Sequence, residues 1–277
     1  MNTRQFFIAT AMICIAFLFS TNSAYSYPWI SPYAYCLNNP VRYIDPDGRD
    51  IWIYYEDEEG KRQQMLYTAN MQYEGNNAFV SASVNYLNSV YSNGGENVMN
   101  VLIGSGNSFN MINQVPTDGN GNPLDALKFS EATGGGGDIY AGMLTSSNYS
   151  NFSKVEGVSH ELFHGFQYEK GQGGASIFNE VEALVYSSVI TNNWSSSTNY
   201  FGAMSANGLG NGTVAGNLYQ SSFSNLVNNG FSKDNFHNAV KNFRNGSSSN
   251  ASGGYNNYPL HNNQSNYLLM KYLPKLR

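Results

Sequence analysis

Residues 158–169 read VSHELFHGFQYE and set two of the chain's four histidines, His160 and His164, four positions apart. On an α-helix that spacing stacks both imidazoles on one face, where they can reach a single ion. Glu161 lies about a third of a turn round. From there it approaches water at such an ion but cannot replace a histidine as ligand. Imidazole nitrogen is a good donor for zinc, and a catalytic zinc takes three protein ligands and leaves one position open for water. The chemistry that His160-Glu161-Leu162-Phe163-His164 suits is therefore zinc-assisted hydrolysis, with Glu161 handling the proton.

The surrounding residues predict the helix this requires. Ser153-Lys154-Val155-Glu156 has the form of a capping box, which starts a helix over 154–169. Val155, Val158, Leu162 and Phe166 make its apolar stripe. A third ligand is expected from the next helical segment, GGASIFNEVEALVYSSVI, begun near Ser176. Its stripe is Ile177, Val181, Leu184, Val185 and Val189, and Glu180 and Glu182 fall on opposite borders of that stripe. Amphipathicity does not choose between them. Ala183, three residues after Glu180, lets the two helices approach closely, which favours Glu180 as ligand and leaves Glu182 exposed or orienting a histidine. His237 and His261 are candidate oxyanion donors, as are many of the 21 tyrosines, with none singled out.

Composition narrows the partners. Only 12% of the chain is charged, the net charge is −5, and no lysine or arginine cluster is present, so the footprint of a nucleic-acid partner is missing. Of the two cysteines, Cys14 lies in an N-terminal apolar run and Cys36 stands alone, so neither an intramolecular disulfide nor thiolate ligation of zinc is expected. That leaves His, Asp and Glu as ligands.

The N-terminus reads as an export signal. Arg4 precedes an apolar run from Phe6 to Phe19, followed by small and polar residues; cleavage is expected after Ser26, with Ala24 the alternative. The run is too short to span a membrane, and no stable anchor is expected after cleavage, so the chain is expected to be secreted or periplasmic. The remaining length of about 250 residues supports one sizeable core.

Beyond the signal, DIWIYYED and RQQMLYT flank Glu59-Gly60 as a β-hairpin. NNAFVSASVNYLNSVYSN has a helical period, and GENVMNVLIGSG is a short helix or a strand. SFNMINQV (108–115) and GGDIYAGML (136–144) read as strands, the latter as the edge against which an extended substrate would pair. Further helices are expected over 177–191, Asp234 to Arg244 and Gln264 to Leu273. Strands first and helices afterwards give an α+β fold.

Two resemblances extend this reading. SPYAYCLNNPVRYIDPDGRD resembles the closing motif of the Rhs-repeat-associated core, matched at Tyr33, Tyr35, Asn38, Asn39, Pro40, Tyr43, Asp45, Pro46 and Gly48. In such proteins a variable toxin domain follows the motif. This chain lacks the long repeat shell and so looks like a detached toxin cassette with its own export signal. The division implied is 1–26 signal peptide, 27–49 Rhs-like linker and 50–277 catalytic domain. His160, Glu161, His164, Glu180 and Ala183 resemble the zincin metallopeptidases with a glutamate third ligand, more narrowly the short effector and toxin metallopeptidases. That resemblance implies a zincin-like fold, a Zn2+ cofactor, His160, His164 and Glu180 as metal ligands, Glu161 as catalytic base, a protein substrate and an immunity protein as partner. A competing reading is a non-catalytic envelope or adhesin-like binding module with a structural metal site. A nuclease is a third reading, disfavoured by the low basic content.

Overall fold

The computed structural model describes residues 50–118, 120–124, 126–195, 214–229, 232–247, 255, 258–261 and 267–272. All of them lie in one compact unit, 45–277. The signal segment, the Rhs-like motif and both cysteines fall outside the described residues.

Strands β1 (Asp50–Glu56) and β2 (Arg62–Tyr67) form the expected hairpin, with Tyr54 opposite Gln64. Its turn is tied by the Asp57 carboxylate, which accepts from the Lys61 backbone at 2.7 Å. Helix α1 (Ala78–Val90) is capped by Asn77, whose side chain accepts from the N–H groups of Phe79 and Val80. A π-turn at Tyr91–Gly95, broken where Gly94 takes φ +106°, leads into helix α2 (Glu96–Ile103). Of the two readings of the GENVMNVLIGSG stretch, the helix is the one adopted.

Strands β3 (Ser108–Ile112), β4 (Lys128–Glu131) and β5 (Gly137–Tyr140) complete a five-stranded mixed sheet of order β2-β1-β3-β5-β4. The inner strands β1, β3 and β5 are parallel, and both outer pairings are antiparallel. Ile51, Ile53, Phe109, Met111 and Ile139 are buried in the core shared with the helices.

The strand expected over 136–144 needs correcting. It ends at Tyr140, runs into a 3-10 turn at Gly142–Thr145, and lies inside the sheet between β3 and β4. The edge on that side is β4, whose KFSE has little apolar periodicity because an exposed edge strand favours charged and polar residues. Likewise the 108–115 strand stops at Ile112.

Helices α3 (Asn151–Glu169) and α4 (Ile177–Ser195) follow and pack on each other. The α3 stripe Val155, Val158, Leu162 and Phe166 is fully buried. Its start differs from expectation. Ser150, not Ser153, is the cap: its hydroxyl accepts from Ser153 N at 3.1 Å, and the first helical bond runs from Lys154 N to Ser150 O. The earlier hydroxyl wins because it adds hydrogen-bonded residues to the helix and leaves Ser153 at the third position.

Helix α5 (Val214–Asn229) carries buried Tyr219, Phe223 and Leu226 against α6 (Lys233–Ser247), and α7 (Leu268–Tyr272) rests on α4. Sequence pattern gives no expectation for α5, whose apolar residues are diluted by Asn and Ser. No helix among the described residues is long and apolar enough to cross a membrane. The architecture is α+β, a mixed sheet followed by helices.

Candidate metal centre

Helix α3 crosses the sheet at its β4 end with Gly165 facing inward. A Cβ there would lie 3.2 Å from the Phe109 ring, so glycine allows the close approach. A neighbouring face of α3 presents His160 and His164 toward the first turn of α4, and Glu180 projects between them. The two Nε2 atoms are 3.0 Å apart, and each is 3.6 Å from its own Glu180 oxygen: Oε2 for His160, Oε1 for His164. The three side chains are 12–17% exposed, buried enough for strong electrostatics and open enough to admit an ion. Among the described residues this is the one group of three or more His, Cys, Asp or Glu whose donor atoms converge on a point.

A tetrahedral zinc with ligand bonds of about 2.0–2.1 Å sets its donors about 3.3 Å apart. The observed 3.0 and 3.6 Å bracket that value, so the residues fit such an ion with shifts of a few tenths of an ångström.

Electrostatics agree with the geometry. Burial pulls the His164 imidazole down, but the Glu180 carboxylate beside it outweighs burial and pushes it up to about 9. Burial would raise Glu180, yet the two histidines overcome it and hold the carboxyl far below its ordinary range. The centre attracts positive charge, and a divalent cation satisfies that attraction in place of a proton.

The tautomer of His164 follows from its neighbours. Gln167 Nε2 donates to Asn179 O and to Glu182 Oε2, both at 3.1 Å. Its Oε1 therefore faces His164 Nδ1 at 2.9 Å and must accept, which puts the proton on Nδ1 and leaves Nε2 to hold a metal.

Glu182, one border of the α4 stripe, thus stands apart from the histidine cluster. It is fully buried and accepts from Gln167, from Gln172 Nε2 at 2.6 Å and from Leu269 N at 3.0 Å. Burial raises its carboxyl to about 7 against these hydrogen bonds.

Glu161 is 9% exposed, and its Oε2 accepts from Phe129 N of β4 at 2.6 Å. Burial raises its carboxyl above the ordinary range, opposed by His160 and His164. The histidine helix and the edge strand are therefore joined through this glutamate.

A cavity of about 300 Å³ opens beside the centre, lined by Phe129–Glu131 of β4, Gly173–Ala175, His164, Glu180 and Tyr258. Tyr255 Oη donates to Glu180 Oε2 at 3.3 Å. Its hydroxyl is raised well above the ordinary value, first by Glu180 and then by burial, and burial and Glu180 also raise Tyr258. Sequence reading missed these residues individually. Gln167, three positions after His164, carried a helical-spacing signal, whereas Tyr255 and Tyr258 come from an Asn-, Gly- and Tyr-rich stretch without periodicity. His237 and His261 do not line the cavity; they meet each other instead.

Helix α4 is fixed at its start from a distance. Ser176 Oγ accepts from Asn179 N, while Ile177 N and Phe178 N donate to the carbonyls of Pro259 and Leu260. No family model matches the chain, and no curated protein or solved structure matches it.

Proposed function

We propose that the chain is a zinc-dependent endopeptidase with a zincin-like centre. One observation carries the reading: His160, His164 and Glu180 converge on one point, His164 and Glu180 line an open cavity, and Glu161 lies close enough to feel the charges of all three. Two neutral imidazoles and a carboxylate are the donor set of a hydrolytic zinc site, with a fourth position left for water.

When bound, zinc supplies Lewis acidity, acidifying water and polarising a carbonyl. Glu161, raised by burial, accepts a proton from the attacking water and returns it to the departing amine. Gln167 keeps His164 in the tautomer that binds. Strand β4 is the exposed edge next to the centre, and an extended peptide laid along it would bring its backbone past Glu161. The export signal and the Rhs-like motif support a toxin acting on a protein target outside the producing cytoplasm, held in check by an immunity protein.

The test is metal analysis with proteome-wide cleavage mapping of the purified chain and its Glu161→Gln variant. Wild type should hold zinc and release new peptide termini. The variant should keep the zinc and lose about 100- to 10,000-fold of the cleavage rate. Zinc without cleavage in wild type would instead support a binding module with a structural metal.

A further inference from the structure

The chain's four histidines fall into two pairs. The second joins His237, on α6, to His261, in the segment that passes the first turn of α4. Their rings meet edge to face with centroids 5.2 Å apart and planes at 71°. The pair in the first centre also meets edge to face, at 4.6 Å and 84°, with its Nε2 atoms 3.0 Å apart. The Tyr267 hydroxyl is hydrogen-bonded to His237 Nε2 at 2.5 Å, which orients that ring and leaves its Nδ1 to meet an ion.

Both histidines are exposed, yet neither is loosely held. They stand on a floor of packed rings: Phe178 contacts His261 at 5.6 Å, Tyr267 at 5.2 Å and Phe236 at 4.6 Å, centroid to centroid. Such packing fixes the imidazoles before any ligand arrives, which lowers the entropic cost of binding one.

The geometry points to a second site for a divalent transition-metal ion, held by His237 and His261, with the Tyr267 hydroxyl orienting the His237 ring. Imidazole donors suit zinc, copper and nickel, not the oxygen-seeking calcium and magnesium. The site lacks the carboxylate that Glu180 gives the first centre, so it binds more weakly and fills second. It is also connected to that centre. Leu260 O, next to His261, accepts from Phe178 N at 3.0 Å, two residues before Glu180. An ion on His261 would therefore clamp the segment that carries Tyr258 against the helix that carries Glu180.

The test is independent of peptidase activity: equilibrium dialysis of the full chain against zinc, with bound metal counted. Wild type should take two ions, one tight and one weaker. His261→Ala and His237→Ala should each keep the tight ion and lose the weaker one, and His160→Ala with His164→Ala should show the reverse. Cu2+ added to zinc-loaded wild type should broaden the ring signals of His237 and His261 selectively. Saturation of wild type at one ion, an unchanged isotherm in His261→Ala, or copper broadening elsewhere would overturn the site. His261→Gln, which keeps a polar side chain at an exposed position, guards against misreading a folding defect.

Discussion

Gln167 decides which nitrogen of His164 is available, because both of its N–H donors are already committed to Asn179 and Glu182. Replacing it with alanine should lower zinc affinity about 10- to 100-fold, read by competition with a chromogenic chelator. Glutamate at the same position keeps an acceptor for Nδ1–H and should recover much of that loss. The pair His160 and His164 was legible in the sequence because helix spacing alone puts two residues four apart on one face. The choice between Glu180 and Glu182 was not. Both border the same stripe, and only the packing of α7 and Gln172 around Glu182 separates a hydrogen-bonding carboxylate from one that faces the histidines.

Among the elements, α3 and β4 must sit close enough for Glu161 to reach Phe129 N. Gly165, one turn after Glu161 on the same face of the helix, sets that approach against Phe109 and Phe129. Gly165→Ala asks its neighbours to give by only a few tenths of an ångström, and the helix-propensity gain of about 1 kcal/mol offsets it. Gly165→Val should cost about 1–3 kcal/mol by overpacking, measured by urea unfolding, and should weaken zinc binding as α3 moves. Amphipathic periodicity exposed α1, α3 and α6 because each buries a regular stripe, whereas α4, buried on nearly every side, announced itself by its apolar content. Strand β4 stayed hidden because four residues with polar ends carry almost no pattern, and its role comes from neighbours distant in sequence. The start of α3 was misplaced by one turn because Ser150 and Ser153 offer the same hydroxyl three residues apart.

For the molecule as a whole, protons titrate the same cluster that a metal would occupy. Glu182 and Glu156 are each raised by burial from 4.5 to about 7. Their contribution to stability is complete below pH 4.5 and is lost as pH rises through 7. His164, raised from 6.5 to about 9, contributes below 6.5 and loses that contribution as pH rises through 9. Glu180, held low, contributes above 4.5 and loses it as pH falls. The metal-free chain should therefore be most stable near pH 4.5 and weaken steadily toward 9. Zinc needs unprotonated imidazoles, so its contribution grows over the same interval. Urea midpoints with chelator and with zinc should diverge as pH rises; parallel curves would remove the cluster from the metal's binding site. The carbonyls of Pro259 and Leu260 that seat the first turn of α4 have a consequence for biosynthesis. A polypeptide made from its N-terminus has its histidine motif roughly a hundred residues before those carbonyls exist. Until those residues are made, the first turn of α4 has only its Ser176 cap, so Glu180 takes its final place beside His160 and His164 well after the histidine helix has been synthesised.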